Sequence, residues 1–553
     1  MTHRKAAPRR ARRLSALAVS LLAVVGAGTT SVATADTAPP PGKPATVSAD
    51  ALPTWQVNGV VWAQVLVGNT VYVTGKFDSA RPPGVALGGA GQVPAQNLFA
   101  YDLKTGDRVS GFNHSLNGQG LAITASPDGS RVFVGGDFTT VDGTTRNHVA
   151  AFDTATGNLT GFKANVNSQV RALAASNTTL YVGGGFQAVN SATANRRNLA
   201  AVTASSGSLL PWAPKADDNK VWSMVLAPGG SRVIVGGAFT TLSGQSAYGM
   251  GSLDASTGAV LPWAANQRIR NATDTGAITS LRTDGREIYG SGYAYGPGSS
   301  FEGTFAASPT TGEISVVNNC HGDTYDVLPV GPVLYSVGHP HDCRWVGSFG
   351  ERNPRRWQYA LAQSTDATRA NTGPDNYGWD YDGLPASTVL HWFPQFTPGA
   401  VSGQTQAGWT ITGNSSYIAI GGEFTKVNGV PQQGLVRLAV KSSAPNRRGP
   451  SYTTDPARPV PATTASSPAP GAAAVTFGTA WDYDNELLTY ELLRDSGTTP
   501  VASASVKSNF WTLPTKKLTD TTAPAGSHTY RVRITDPQGN TLMSPVSNPV
   551  TVA

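Results

Sequence analysis

The heptapeptide VFVGGDF at 132–138 returns along the chain as VYVTGKF (71–77), LYVGGGF (180–186), VIVGGAF (233–239) and IAIGGEF (418–424). Weaker copies stand at IYGSGYA (288–294) and LYSVGHP (334–340). Alternating Val, Ile and aromatic residues suit a pleated strand. The paired glycines leave room where a Cβ would block a neighbouring backbone or ring, and the closing Phe is expected between adjacent sheets. Self-similarity of this kind marks a repeat architecture.

Working outward, one unit holds four short runs: VRALAAS (170–176), LYVGGGF, NLAAVTA (198–204) and SLLPW (208–212). Turn residues separate them. Four short antiparallel strands per repeat form the blade of a β-propeller, so the spacing predicts an all-β fold with a seven-bladed β-propeller over 51–441. After the last marker strand comes GLVRLAV (434–440), and no fourth run follows. ALPTW (51–55) has the character of that missing run, like LLPW (209–212), VLPW (260–263) and VLHW (389–392). It is expected to pair beside 434–440 and close the ring, because an open ring would leave bare strand edges. The third strand of several repeats ends in DLKTGD (102–107), DTATGN (153–158) or DASTGA (254–259), where Asp102, Asp153 and Asp254 read as turn-makers rather than calcium ligands.

The first 35 residues read as a signal peptide: a basic RKAAPRRARR (4–13), an apolar LSALAVSLLAVVGAG (14–28) and a small-x-small ATA (33–35). Export is the consequence, by the general route in preference to the twin-arginine one. Arg4, Lys5, Arg9, Arg10, Arg12 and Arg13 all lie in this leader, so the chain's +7 falls to +1 beyond it. That gives no support for nucleic-acid binding, which needs a clustered cationic face, and no nucleic-acid partner is expected. Nothing after the leader is long and apolar enough to span a bilayer. The two cysteines, Cys320 and Cys343, are expected to form one disulfide in an exported protein, linking neighbouring blades on one face.

Residues 36–50 and the Pro/Ser/Thr-rich 442–471 read as a disordered segment and an extended linker. Residues 472–553 read as a small β-sandwich, with Trp481 and Tyr490 inward and Tyr530 as a corner tyrosine. This part resembles a fibronectin type III domain. Its DYDN run (482–485) reads as a solvated turn rather than a calcium loop.

Candidate chemistry gathers around the sixth blade. His321, Asp323, His339 and His341 fall on the disulfide's face and are suited to bracing a loop or to acid–base work. Their spacing matches no metal pattern, and neither metal nor cofactor is expected. Two long insertions bring Trp345, Trp357, Tyr377, Trp379 and Tyr381, with Arg355 and Arg356, into the same blade. The second insertion is placed on the opposite face. Aromatic faces beside polar groups are what sugar-binding surfaces use. Arg146, Arg196 and Arg197, with Arg355 and Arg356, stand where they could ring one end of the channel.

The motifs VGGxF…(T)VxG and LAAxDxxTG, with CHGDTYDVLPVGPVLYSVGHPHDC (320–343), resemble the secreted repeat propellers of actinobacterial-type proteins joined to fibronectin-like modules. The likeness covers roughly 51–440 and implies architecture and location more than chemistry. The favoured function is a secreted, monomeric binding protein for an extracellular glycan or cell-surface protein, with the sandwich as spacer. A polysaccharide hydrolase or lyase is the alternative, and a structural surface component the third. The absence of a carboxylate pair in the sequence weighs against hydrolysis.

Overall fold

The computed structural model describes residues 39, 41–191, 196–452 and 460–553. The leader, its ATA site and residues 36–38 lie outside the described residues. The fold is all-β and propeller-like. Its only helical pieces among the described residues are the 3₁₀ turns Ala264–Gln267, Thr273–Thr275 and Arg344–Val346. No helix among them is long and apolar enough to cross a membrane.

The repeats become separate antiparallel sheets. The first holds Val60–Val67, Thr70–Lys76 and Leu98–Asp102, and the second Gly120–Ala125, Arg131–Gly136 and Val149–Asp153. Val170–Ala175, Thr179–Gly184 and Leu199–Thr203 follow, then Val221–Leu226, Arg232–Gly237, Met250–Asp254 and Val260–Leu261. Next come Gly276–Thr283, Ile288–Ala294, Gly303–Ala307 and Ile314–Asn319, then Thr324–Val330, Val333–Gly338 and Ala360–Ser364. Gly408–Gly413, Tyr417–Gly422 and Leu435–Ala439 make the last of these sheets, and Ala51–Leu52 joins its edge. Ala51 sits opposite Leu438, and Leu52 opposite Arg437. Each sheet's first strand lies against the first strand of the next, and Gly408–Gly413 lies against Val60–Val67.

The fourth run of a repeat is shorter than its sequence suggests. It shrinks to a single bridge at Arg108, Leu159, Leu209 and Val389. In LLPW the proline has no N–H to continue the ladder, and the side chains do the work instead: Trp212 is buried and its indole N–H donates to the Asp254 carbonyl at 2.9 Å.

The double glycine has two separate causes. A Cβ on Gly135 would stand 2.5 Å from Val170 Cγ1 in the next sheet, and one on Gly136 would collide with the Gln119 carbonyl of its own sheet. The first glycine lets sheets pack; the second admits a β-bulge in the strand beside it. Phe138, Phe186, Phe239 and Phe424 are fully buried. The turn aspartates cap their own loops: Asp254 Oδ1 accepts from Ser256 N at 3.0 Å and Thr257 N at 2.7 Å. Those bonds hold its carboxyl down at about 2.

Both segments expected to be unstructured are corrected in part. Residues 46–50 are buried. Val47 and Ala49 join the core formed by Tyr335, Trp392, Val436 and Leu438. Val47 N donates to Tyr335 Oη at 2.9 Å, and Ser48 N to the Ala439 carbonyl at 2.9 Å. Two small apolar residues give no readable period, so their burial depends on what covers them. The cover is the DYDN run, which is itself buried and not solvated: Asp484 Oδ2 accepts from Ser48 Oγ at 3.1 Å and Ala49 N at 2.7 Å. Residues 442–471 likewise contain a strand, Thr464–Ala469, paired with Ala472–Gly478. Residues 453–459 lie outside the described residues.

The C-terminal part has sheets Thr464–Ala469, Ala472–Gly478, Thr515–Asp520 and Ala502–Lys507, Leu487–Arg494, Tyr530–Thr535, Thr541–Met543. They share a core of Val475, Phe477, Leu488, Tyr490, Tyr530 and Ile534. Far from being a free spacer, this part packs on the repeat sheets. Phe510 lies 5.0 Å from Phe393 and 5.5 Å from Phe349 between ring centroids. Phe393 N donates to the Tyr483 carbonyl at 2.8 Å. Cys320 and Cys343 are joined in a disulfide beside this seam, packed with Val346 and Leu361.

Candidate functional site

The first strand of every repeat sheet carries the same bulge. Its register breaks between Val61 and Ala63, Gly120 and Ala122, Val170 and Ala172, and Val221 and Ser223. It breaks again at Ile278 and Ser280, Thr324 and Asp326, and Gly408 and Thr410. A bulge turns one side chain out of the pleat. The skipped residues are Trp62, Leu121, Arg171, Trp222, Thr279, Tyr325 and Trp409, and all of them line one funnel of about 510 Å³. Repetition of a backbone defect thus collects side chains from distant parts of the chain around one mouth.

The funnel wall is mostly aromatic. Trp62 and Trp409 meet edge to face at 4.8 Å, and Tyr325 stacks on Trp409 at 4.1 Å. Trp222 leans on Tyr293 at 5.5 Å, and Tyr293 stacks with Tyr295 at 6.1 Å. Arg171 lies over the Trp222 ring, its guanidinium carbon 4.5 Å from the centroid. Trp62 Nε1 donates to Gln119 Oε1 at 3.0 Å, so hydrogen bonds fix one indole in place.

A second cavity of about 730 Å³ opens beside the funnel and shares Tyr295 and Asp323 with it. Glu302, His339, His341, Arg355, Tyr377 and Trp379 also line it. Here lies a carboxylate pair that the sequence did not disclose: Glu302 and Asp323 are hydrogen-bonded to each other. Glu302 Oε2 also accepts from Gly322 N at 2.9 Å, and Tyr325 Oη donates to Asp323 Oδ2 at 3.1 Å. Burial pushes the Glu302 carboxyl up to about 8, and burial raises Asp323 too. His339 stands alongside, Nε2 4.0 Å from Asp323 Oδ2 and Nδ1 3.0 Å from Gln406 Oε1.

The second long insertion reaches this same face, not the opposite one. Arg369–Ala370 and Pro385–Ala386 form a hairpin against Ile314–Asn319. Asn371 Nδ2 donates to the Val317 carbonyl at 2.8 Å. The hairpin runs along the sheet's outer edge and delivers its tip over His321. His321 Nε2 meets Asp375 Oδ2 at 2.7 Å, and Tyr377 stacks on the imidazole at 4.1 Å. Burial alone would raise the Asp375 carboxyl; the bonds from His321 and from the Trp379 and Tyr377 N–H groups outweigh it and hold it below its ordinary value.

The expected site residues therefore separate. Asp323, His339, His341, Arg355, Tyr377 and Trp379 share the cleft. His321 is fully buried and braces the loop. Tyr381 is buried too, edge-on to Phe301 with its hydroxyl donating to the Ser300 carbonyl at 2.8 Å, so it packs rather than binds. Trp345 is half-buried under Arg344 and outside the cleft lining. Trp357 and Arg356 line a different cavity of about 480 Å³ at the seam with the C-terminal part, and Arg355 reaches both. Arg146 and Arg196 do not ring the channel: they donate to the Thr160 and Leu210 carbonyls at 2.8 and 3.0 Å. The funnel residues Trp62, Arg171, Trp222, Tyr325 and Trp409 were missed. Their signal was legible as the second residue of VWA, VRA, VWS, TYD and GWT, since each bulge recurs at that place.

The buried groups fix a pH dependence. Glu302, with its folded pKa above its unfolded one, contributes stability that is whole below about pH 4.5 and lost as pH rises towards 8. His341 behaves oppositely: burial, with Arg355 nearby, pulls it to about 3, so its contribution is present above about pH 6.5 and lost on acidification. Urea unfolding at a series of pH values is expected to show a maximum between these limbs. Glu302→Gln should flatten the alkaline limb alone, and an unchanged alkaline limb would show that Glu302 titrates normally.

No family model matches the sequence, and no curated protein matches it. Solved structures match at low similarity. The computationally designed Ika8 protein aligns over 71% of this chain and 99% of its own, at 10% identity and a TM-score of 0.38. The Neurospora crassa Pan2 WD40 domain aligns over 73% of this chain and 98% of its own, at 9% identity and a TM-score of 0.37. The extracellular domain of the putative hybrid two component system BT3049 from B. thetaiotaomicron aligns over 91% of this chain and 58% of its own, at 10% identity and a TM-score of 0.36.

Proposed function

We propose that this chain is a secreted binding protein that takes an extracellular saccharide in the funnel and the adjoining cleft. In this reading residues 51–441 form a seven-bladed propeller closed by Ala51–Leu52, and the C-terminal sheets form a fibronectin type III-like sandwich docked on it. The likeness to secreted actinobacterial-type repeat propellers belongs to the same proposal. One observation carries it: repeated bulges converge Trp62, Trp222, Tyr325 and Trp409 on one mouth, continuous through Tyr295 with Trp379. Flat apolar faces for pyranose rings, beside carboxylates, histidines and amides for hydroxyls, are the composition of a sugar site.

Tyr295 offers the cleanest test, being 72% exposed and stacked only on Tyr293. Tyr295→Ala is expected to weaken saccharide binding about tenfold, or ~1.4 kcal/mol, with the urea midpoint unchanged. A glycan array followed by titration calorimetry measures it. No retention on any glycan would sink the reading.

Polysaccharide cleavage is the second reading, favoured by the Glu302–Asp323 pair. Hydrolysis places its carboxyl groups about 5 Å or more apart, with the sugar between them. These two are bonded to each other, which suits holding a hydroxyl better than attacking a glycosidic bond. Release of reducing ends from a bound polysaccharide would favour cleavage over binding.

A further inference from the structure

We propose that the funnel selects an acidic saccharide, one bearing a carboxylate or a sulfate, and that Arg171 is the residue that recognises the charge. The inference rests on the saccharide reading above and narrows it to a class.

Arg171 is the cation among the bulge residues. Its strand, Val170–Ala175, presents it to the funnel at the same place where neighbouring sheets present Trp222 and Leu121. Trp222 supports the guanidinium from one side and uses none of its N–H groups in a bond to oxygen. Among the described residues Arg171 has no hydrogen-bond acceptor and no ion-pair partner. Asp137 attracts it through space, but the two Asp137 oxygens are taken by Gln119 Nε2 at 2.7 Å and Gln169 Nε2 at 2.9 Å. Elsewhere Arg146 and Arg196 each donate to a carbonyl, and Arg355 donates to Glu351.

A half-exposed guanidinium with free donors on an aromatic wall is available to any ligand group that accepts from it. Its planar fork matches a carboxylate or sulfate bidentately. The acidic groups of the mouth do not cancel this. Asp323 stands three sheets further round and shares a hydrogen bond with Glu302. The walls between are apolar or hydroxylic: Leu121, Thr279, Tyr293 and Trp222. A neutral sugar would stack on these rings and leave the guanidinium unpaired.

The test compares three probes by calorimetry: an oligogalacturonate, a sulfated galactan oligomer and a neutral xylo-oligosaccharide. Wild type is expected to prefer one of the acidic oligomers at least tenfold over the neutral one. That preference should shrink as salt rises, since exposed ion pairs are screened. Arg171→Gln should erase the preference, and Arg171→Lys, which keeps the charge without the fork, should retain part of it. Preference for the galacturonate alone assigns a carboxylate ligand, and preference for the galactan alone a sulfate. Equal binding of neutral and acidic oligomers overturns this inference and leaves the saccharide reading standing. Binding of none of the three overturns both. A polyglutamate peptide bound through Arg171 in place of the saccharides would overturn it in favour of an acidic protein partner.

Discussion

Arg437→Met is expected to lower the free energy of unfolding by roughly 4 kcal/mol, among the largest losses available to one substitution in this chain. Arg437 lies on Leu435–Ala439 and is 1% exposed. Its guanidinium donates to the Leu103 and Lys104 carbonyls at 2.8 Å, to the Thr105 carbonyl at 2.9 Å and to Thr54 Oγ1 at 3.2 Å. The Pro53 carbonyl accepts as well. One side chain thus bolts the last repeat sheet to the N-terminal segment and to the turn that ends Leu98–Asp102. The Ala51–Leu52 pairing beside it spans only two residues, too few to hold the ends of the chain alone. Methionine fills similar space but supplies no donor, so several buried oxygens lose their partners at once. Arg437→Lys should fall between, because an ammonium cannot reach so many acceptors. Equilibrium urea unfolding at constant m-value measures both. A loss below about 1 kcal/mol in the methionine variant would show that the seam is held by strand pairing and packing instead.

Asp326→Ala is expected to cost about 3–4 kcal/mol. Asp326 is 5% exposed on Thr324–Val330 and ties its sheet to both neighbours. On one side it accepts from Ser280 Oγ at 2.6 Å and pairs with Arg282 Nη2 at 2.9 Å. On the other it accepts from Thr410 Oγ1 and Ile411 N, both at 3.0 Å. Its charge is the leading cause that raises the Arg282 pKa. Alanine leaves that guanidinium facing the lumen without its partner. Arg282→Met in the same chain should therefore cost less than its single effect added to that of Asp326→Ala, by more than about 0.5 kcal/mol in a double-mutant cycle. Strict additivity would mean that the two residues act independently.

These two residues mark the divide between what can and cannot be read in a linear sequence. The VGGxF strands, the Asp-initiated turns and the ALPTW run each carry their information within a few residues, through strand period, turn chemistry and glycine. They were legible for that reason. Arg437 is one letter in GLVRLAV and Asp326 one letter in TYDVLPV. Nothing local distinguishes either from a surface charge; the partners that tie them to other sheets lie 332–384 and 44–85 positions away. The second insertion shows the same limit. Its aromatic content is plain in the sequence, but its face is not, because a hairpin can follow a sheet's outer edge from one side of the molecule to the other. The burial of the N-terminal segment at 46–50 is hidden in a related way. Its weak pattern suffices for burial once Asp484 closes over it.

The sequence alone determined that strands of one kind recur, because a short strand with its turn is specified by neighbours a few residues apart. It held the bulge too, as a glycine pair beside a displaced residue. Only the tertiary structure decided that Trp62, Arg171, Trp222, Tyr325 and Trp409 face one another, and that Glu302 bonds to Asp323. Each of those meetings joins repeats or loops that are separate along the chain, and their distances are set by how sheets pack round a common axis rather than by any residue's own preference.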